Sequence, residues 1–425
     1  MDEKVLKEID PTKNWVIDKT DCRIDYDLTI VREMEKPRLV VITVPLVFRH
    51  IAGRALRRLY PEIVPYTKVN VSSLRWDPRP YEFVAGYWRC SPNVVLEIAE
   101  TAFHQYFRFF VDEAKENPAS LYEAFLNALR EESRGVVCNV SWQSAFDDDI
   151  EEEEEGELGS ADIGDEVSSL GEAEITLEEF LSFYPPATAL AFRRIIHMVD
   201  VIADNPASGM HFSALLAGPP GTGKSLFATL LAQYAVEKKR ALVIFSSGVT
   251  GIDFVYEAIK LFPLVLFIFD ECEFLIQDRE EQPTRELIHF LQLLDGYAYR
   301  SYASWGMIFT TNRPHAIDPA FLRPVRLDEL VEVLPLQDGH LGWKVFEYHC
   351  RRLGVEPPEG IDEKYFEGRT HAECAALAHK ISRMAKFGGA VSAEDVKALL
   401  KDMAKWSRPR RLKGVLSAGE EKAGF

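Results

Sequence analysis

Gly218-Pro219-Pro220-Gly221-Thr222-Gly223-Lys224-Ser225 is the stretch whose reading decides the fold. It has the spacing G-x-x-x-x-G-K-[ST], follows the apolar run Phe212 to Ala217 and precedes the helical run Leu226 to Val236. A strand that feeds a glycine-rich turn into a helix N-terminus gathers backbone N–H groups and the positive end of the helix dipole at one place, which suits a polyphosphate. Gly218, Gly221 and Gly223 let the backbone wrap closely around it. Lys224 is expected to reach the β- and γ-phosphates, and the Ser225 hydroxyl to sit on Mg2+. Residues 218 to 226, ending at Leu226, are therefore the expected contacts of a nucleoside triphosphate.

Downstream, the run Leu264 to Phe269 ends in Asp270-Glu271. A buried parallel strand that ejects two carboxylates at its C-terminal edge places them at the ligand-binding end of such a sheet. Asp270 is expected to hold Mg2+ and Glu271 to polarise the attacking water, with Glu273 a weaker candidate. The next strand-like run, Gly306 to Thr310, leads into Thr311-Asn312-Arg313-Pro314, and Asn312 is expected beside the γ-phosphate. Arg323 and Arg326 follow, three residues apart. A planar guanidinium suits the charge spread over a transferring phosphoryl group, and one supplied in trans contributes about 10³ to 10⁵ in rate. Pairing with Asp328 or Glu329 on the surface is the alternative for either arginine.

Length and composition allow two or three globular domains: 425 residues, 47% hydrophobic and 27% charged. The net charge of −18 is concentrated, because Asp147 to Glu174 holds fourteen acidic residues and no Lys or Arg; removing them leaves −4. That tract cannot bury enough apolar surface to order itself and reads as a flexible acidic linker. Six cysteines without paired spacing fit a reducing compartment, and neither a secretory signal nor an apolar run of membrane-spanning length is found. A cytoplasmic location is the expectation.

The chain reads as an α/β protein preceded by an α+β domain. Residues 1–146 mix strand-like runs (Arg38 to Phe48, Lys68 to Trp76) with helical ones (Asn93 to Glu116, Ser120 to Glu132), and their many aromatics read as core. Residues 147–174 are the linker. In 175–335, short apolar runs alternate with helical segments, as in a parallel nucleotide-binding sheet. Residues 336–406 read as a small helical domain, with capping signatures at Thr370-x-x-Glu373 and Ser392-x-x-Asp395. A basic and polar tail, 407–425, includes Arg408 to Lys413.

The order of phosphate loop, Asp270-Glu271, Leu291-Gln-Leu-Leu-Asp295-Gly296, Thr311-Asn312-Arg313-Pro314 and Leu322-Arg323-Pro324-Val325-Arg326-Leu327-Asp328 resembles the AAA family of ATPases, across about residues 190 to 400. The resemblance implies an AAA+ module with a C-terminal helical lid, ATP and ADP as ligands with Mg2+, and hexameric rings whose sites lie at subunit interfaces. It also implies Lys224 and Ser225 as the first nucleotide motif, Asp270 and Glu271 as the second, Asn312 as a sensor, and Arg323 and Arg326 as fingers reaching the neighbour's nucleotide. Such a ring is a head-to-tail assembly in which each subunit completes the next one's site. Two departures stand out: Val325 replaces the usual Gly between the arginines, and His371-Ala372-Glu373 replaces Gly-Ala in the lid, which brings His371 forward as a pocket-lining candidate, with an ordinary first-turn helix residue as the favoured alternative.

From Ser246 to Asp270 is 24 positions, shorter than in the AAA unfoldases that thread polypeptides. The segment containing Phe254 and Tyr256 is expected to start a short helix packed on the sheet instead of an aromatic pore loop. This shortening is similar to the Bcs-type branch, without that branch's transmembrane segment, and implies protein clients that are folded or partly folded, contacted by residues 1–146. Two other classes stay open: a nucleic-acid-acting machine, which needs a basic platform larger than Arg408 to Lys413, and a nucleotide-switched scaffold, which has no need of a complete hydrolytic set.

Overall fold

Antiparallel pairing dominates the first part of the chain in the computed structural model, which describes residues 6–8, 34–45, 48–65, 86–100, 104–141, 175–247, 253–273, 285–295, 303–324, 326–387 and 391–407. The expected acidic linker, the tail from residue 408 and the run Lys68 to Trp76 lie outside the described residues. Strands β1 (Leu6–Glu8), β2 (Pro37–Pro45), β3 (Val64–Pro65), β4 (Gly86–Ser91), β5 (Val94–Glu100) and β6 (His104–Asp112) form one sheet in the order β1-β2-β6-β5-β4-β3. Helices α1 (Arg49–Leu59) and α2 (Pro118–Glu132) contribute to the same core. The start of α2 is set locally: Pro118 occupies the first turn and the Asn117 side chain accepts from the Ala119 N–H at 2.9 Å.

One expectation fails here. Asn93 to Glu116, read as helical, is the β5–β6 hairpin. Val94, Leu96 and Ile98 on β5, with Phe107, Phe109 and Val111 on β6, fall at alternate positions and enter the core with Ile51 and Leu56 of α1 and Phe125 and Leu129 of α2. Val95, Phe110 and Leu39 form a separate small cluster. With apolar residues on both alternating sets, the run loses a clean period, and its β-branched and aromatic content is the better guide.

The second sheet has the order β12-β8-β11-β10-β9-β7, from β7 (Val137–Ser141), β8 (His211–Ala217), β9 (Leu242–Ser247), β10 (Leu264–Asp270), β11 (Ser304–Thr311) and β12 (Glu329–Glu332). The pairs β7·β9, β9·β10, β10·β11 and β11·β8 are parallel. β11 is buried throughout and β10 up to its final Asp270, as expected of strands covered on both faces. Aromatic stacking fixes the centre: Phe269 and Phe309 lie 5.1 Å apart, with Phe290 and Phe321 edge-on. Registers Phe309↔Leu215, Phe269↔Phe309 and Phe269↔Ser246 bring the C-terminal ends of four strands level.

One edge strand of this sheet, β7, comes from the segment 1–146 that the sequence assigns to a separate domain. The boundary drawn at 146 thus does not coincide with the sheet boundary. Val243 donates to the Val136 carbonyl at 2.8 Å, and Gly135 donates to the Arg240 carbonyl at 3.0 Å. Phe48, fully buried, meets Phe262 edge-on at 4.8 Å. Truncating it leaves a cavity where the antiparallel and parallel parts share a core, so Phe48→Ala is expected to cost about 3–5 kcal/mol of unfolding free energy. Urea denaturation would register that as a lower midpoint; an unchanged midpoint would mean the two parts are energetically independent.

The described chain divides into two compact units: Met1–Glu174 with Arg193–Ala217 and Ser225–Val331, and Ile175–Phe192 with Gly218–Lys224 and Glu332–Phe425. The first contains both sheets, with α5 (Lys224–Glu237) entering it from Ser225, and with α6 (Asp253–Leu261) and α7 (Arg285–Leu294). The helix α4 (Pro186–Asp204) passes from the second unit into the first, and α3 (Leu177–Leu181) belongs to the second. The second unit is otherwise helical: α8 (Gly339–Arg352), α9 (His371–Lys386) and α10 (Ala393–Ser407). Both expected caps are present. Glu373 N donates to Thr370 Oγ1 at 3.2 Å while Thr370 N donates to Glu373 Oε2 at 2.9 Å, and the same reciprocal pair joins Ser392 and Asp395.

Candidate functional site

Strand β10 delivers Asp270 and Glu271 to the C-terminal edge of the parallel sheet, and the neighbouring β11 delivers Thr310, Thr311 and Asn312. These residues form one hydrogen-bonded chain that passes through side chains and through the Glu271 and Asn312 backbone N–H groups. Ser225 Oγ donates to Asp270 Oδ1 at 2.9 Å, and Thr310 Oγ1 donates to the same oxygen at 2.5 Å. Thr310 Oγ1 in turn accepts from the Glu271 backbone N–H at 2.9 Å. Glu271 Oε1 accepts from Asn312 Nδ2 at 3.3 Å, and Glu273 Oε1 accepts from the Asn312 backbone at 2.7 Å. Four of the expected residues, Ser225, Asp270, Glu271 and Asn312, are thereby brought together, and Glu273 anchors the turn on which Asn312 stands.

Glu271 has φ 52°, a left-handed conformation that a side-chain-bearing residue adopts at a cost of about 1–3 kcal/mol. The turn aims the carboxylate out of the strand while the Thr310 hydroxyl holds its N–H; the side chain of Glu271 is exposed. Thr310 is a residue that sequence reading left without a role, although it lies inside the quoted strand-to-turn run. Magnesium takes oxygen ligands in a compact shell. A hydroxyl and a carboxylate held 2.9 Å apart, Ser225 and Asp270, are a donor set that fits it.

In the second unit, the loop 218–224 folds around its own lysine. Lys224 Nζ donates to the Gly218 and Pro219 carbonyls, both at 2.8 Å, and the Thr222 hydroxyl donates to the Pro219 carbonyl at 2.9 Å. Pro219, Pro220 and Gly221 are exposed. In the first unit, Ser225 and Leu226 open the helix with exposed side chains. Gly223 is required as glycine: φ is +94°, and a Cβ there would come within 2.1 Å of the Tyr184 hydroxyl. Tyr184 donates to the Thr222 carbonyl at 2.7 Å from beneath the loop, a contact no motif announced.

His371, expected as a pocket-lining residue, stacks on Tyr184 with ring centroids 4.4 Å apart. Burial pushes its imidazole down to about 4, so the ring is neutral at physiological pH. Next to it, Ala372 N donates to the Gly221 carbonyl at 3.0 Å. The first turn of α9 therefore fastens the phosphate loop from outside, with His371 wedged behind it.

The two arginines differ. Arg323 is exposed. Arg326 is bound to Asp295 by two parallel N–H···O bonds of 2.6 Å each. That pair holds the Asp295 carboxyl below the usual carboxylate range. Phe254 and Tyr256 start α6, as expected, and pack against the core; Phe254 lies 6.3 Å from Phe267.

Residues 214–334 match the model of the ATPase family associated with various cellular activities (AAA). Similar proteins include the proteasome-activating nucleotidase of Pyrococcus horikoshii, 33% identical over 201 residues, which are 43% of this chain and 47% of that protein. That of Thermococcus kodakarensis is 33% identical over 184 residues, 39% and 44% of the two chains. That of Methanococcus maripaludis is 33% identical over 165 residues, 35% and 38%. The chain spans less than half the length of these relatives.

Proposed function

We propose that this chain, in which residues 214–334 form an AAA ATPase module, hydrolyses ATP to ADP and phosphate within a hexameric ring and uses the cycle to remodel, chaperone or translocate protein clients. The observation that carries the reading is the hydrogen-bonded chain from Ser225 through Asp270, Thr310 and Glu271 to Asn312.

Each residue then has a role. The backbone N–H groups of 218–223 and the Lys224 ammonium hold the β- and γ-phosphates. Lys224, which donates to the Gly218 and Pro219 carbonyls, turns its charge toward phosphate when ATP arrives. Ser225 and Asp270 would hold Mg2+, which would supply neutralisation of phosphate charge. Glu271 accepts a proton from the attacking water, and Asn312, bonded to the same carboxylate, orients that water. Arg323 reaches the nucleotide of the adjoining subunit and stabilises the charge of the transferring phosphoryl group. His371 and Tyr184 keep the phosphate loop in shape from the lid side.

Three observations support protein clients. The similar proteins bear the name proteasome-activating nucleotidase. The aromatics Phe254 and Tyr256 are engaged with the core, which fits a Bcs-like relative that handles folded or partly folded chains. The N-terminal sheet and α1 are fused to the ATPase sheet through β7 and Phe48, so a client held by residues 1–146 would feel movements of that sheet directly. Among the described residues, no helix is long and apolar enough to cross a membrane. A cytoplasmic location belongs to the same proposal.

Phosphate release by the purified chain tests the activity. Addition of EDTA is expected to lower the rate at least about tenfold, and excess Mg2+ to restore it, because charge stabilisation by the metal carries several kcal/mol of the barrier. Turnover that is indifferent to chelation would overturn the assigned metal pair.

A further inference from the structure

The pattern Arg323-x-x-Arg326 invites both guanidiniums to serve as fingers, yet the two side chains have opposite situations. Arg326 is 11% accessible at the side chain and uses three of its five N–H donors within its own subunit. Nε and Nη2 grip the two carboxylate oxygens of Asp295 at 2.6 Å, and Nη1 donates to the Ala320 carbonyl at 2.7 Å. Asp295 caps the end of α7, where its own N–H donates to Leu291. Arg326 thus ties the end of α7 to the Asp318–Phe321 turn. That turn is itself rigid: Asp318 is buried and accepts from Ala320 N at 2.7 Å, and Phe321 packs edge-on against Phe309.

Arg323 lies between these fixed points. Its carbonyl accepts from the N–H groups of Arg326 at 2.8 Å and Leu327 at 3.1 Å, whereas its guanidinium has no hydrogen bond or ion pair among the described residues. Beyond Arg326 the chain is bolted to β8, since Ser213 N donates to Asp328 Oδ2 at 2.9 Å and Asp328 N donates to the Ser213 carbonyl at 3.0 Å. A bidentate pair of this geometry fixes orientation as well as distance. To act as a finger, Arg326 would have to abandon it and leave Asp295 as an unpaired, partly buried charge.

We propose that Arg326 is a positioning residue that acts through Asp295, and that Arg323 alone is the finger offered to the adjoining subunit. The inference rests on the ATPase reading above. Asp295 consequently belongs to the functional machinery without touching nucleotide: it holds Arg326, which holds the loop that presents Arg323.

Charge exchange separates the two roles. Asp295→Arg and Arg326→Asp are each expected to lower kcat on the order of tenfold or more, while the exchanged double variant recovers most of the loss, as coupling between groups in contact predicts. If Arg326 itself touched the nucleotide, the double variant, with a carboxylate at 326, would be no better than Arg326→Asp alone, and the proposal would fall. Should the reversals fail to fold, the gentler pair Asp295→Asn and Arg326→Gln gives the same decision. Equal kcat losses that do not add in the double variant support the latch, and full activity of Asp295→Asn overturns it. A second readout locates the defect. Asp295→Asn subunits mixed with Lys224→Ala subunits, which carry an intact finger, are expected to regain turnover, which a defect in a subunit's own site would not allow. Absence of hydrolysis in the unsubstituted chain would instead sink the underlying ATPase reading, whereas full activity of Arg323→Ala would overturn the assignment of Arg323 as the finger.

Discussion

Glu271→Gln is expected to leave ATP bound and unhydrolysed. The substitution keeps the size of the side chain and its ability to accept from Asn312 Nδ2, now 3.3 Å from Glu271 Oε1, but removes the group that takes a proton from water. General-base removal costs about 10²- to 10⁴-fold, so phosphate release should fall to the background of the assay. ATP affinity should stay within a few-fold, because the proposed phosphate contacts are the loop 218–224 and Ser225. Fluorescent-nucleotide titration and single-turnover hydrolysis measure the two quantities separately. Hydrolysis at the unsubstituted rate would remove Glu271 from the mechanism and shift attention to Glu273, whose carboxylate accepts from the Asn312 backbone at 2.7 Å. The left-handed φ of 52° at this position supplies an internal comparison: Glu271→Gly relieves the backbone and should stabilise the fold or leave it unchanged while losing turnover equally.

Arg323→Ala is expected to lose about 10³-fold or more in turnover when every subunit carries it, the scale associated with an arginine supplied in trans. Its exposure makes a folding explanation for such a loss weak, since surface substitutions usually change stability by less than about 0.5 kcal/mol. The decisive form is a mixture. In the proposed cycle a Lys224→Ala subunit would not hold the phosphates but would still offer its Arg323, and an Arg323→Ala subunit would keep an intact loop but offer no finger. Neither is expected to hydrolyse alone; together they should regain activity wherever an Arg323→Ala site faces a Lys224→Ala neighbour. Native mass spectrometry would confirm that mixed assemblies form. If they form and remain inactive at every ratio, Arg323 does not act across an interface.

Where the sequence carried local chemistry, the structure follows it closely. The parallel strands β8, β9, β10 and β11, the caps at Thr370 and Ser392, and α6 beginning near Phe254 all depend on short-range patterns: apolar runs, reciprocal side-chain caps and an apolar helical run. Asp270, Glu271 and Asn312 were legible because a parallel strand must release its side chains at its C-terminal edge. Elements fixed by tertiary partners were not. The β5–β6 hairpin has apolar residues on both of its alternating sets, so the two-residue period of a strand is lost from its sequence. Strand β7 pairs with β9, about a hundred residues later, and nothing in Val137–Ser141 announces that partner. The contacts Arg326–Asp295 and Tyr184–Thr222 join residues 31 and 38 positions apart, and sequence offers no measure of which arginine will find a carboxylate.

The same contrast shapes the functional picture. The N-terminal segment is continuous with the core of the parallel sheet through Phe48, Phe262 and β7. The phosphate loop, in turn, is fastened to the lid helix α9 by Ala372 and cushioned by Tyr184 and His371.

The most direct measurement is a cryo-electron-microscopy image of the full chain with Mg2+ and a slowly hydrolysed ATP analogue. A ring of six copies, with Arg323 of one subunit at the γ-phosphate of the next, Arg326 still on Asp295, and a wide central opening without inward aromatic loops, is the predicted result. Particles without a closed ring, or a ring in which Arg323 faces solvent, would contradict the account at its centre.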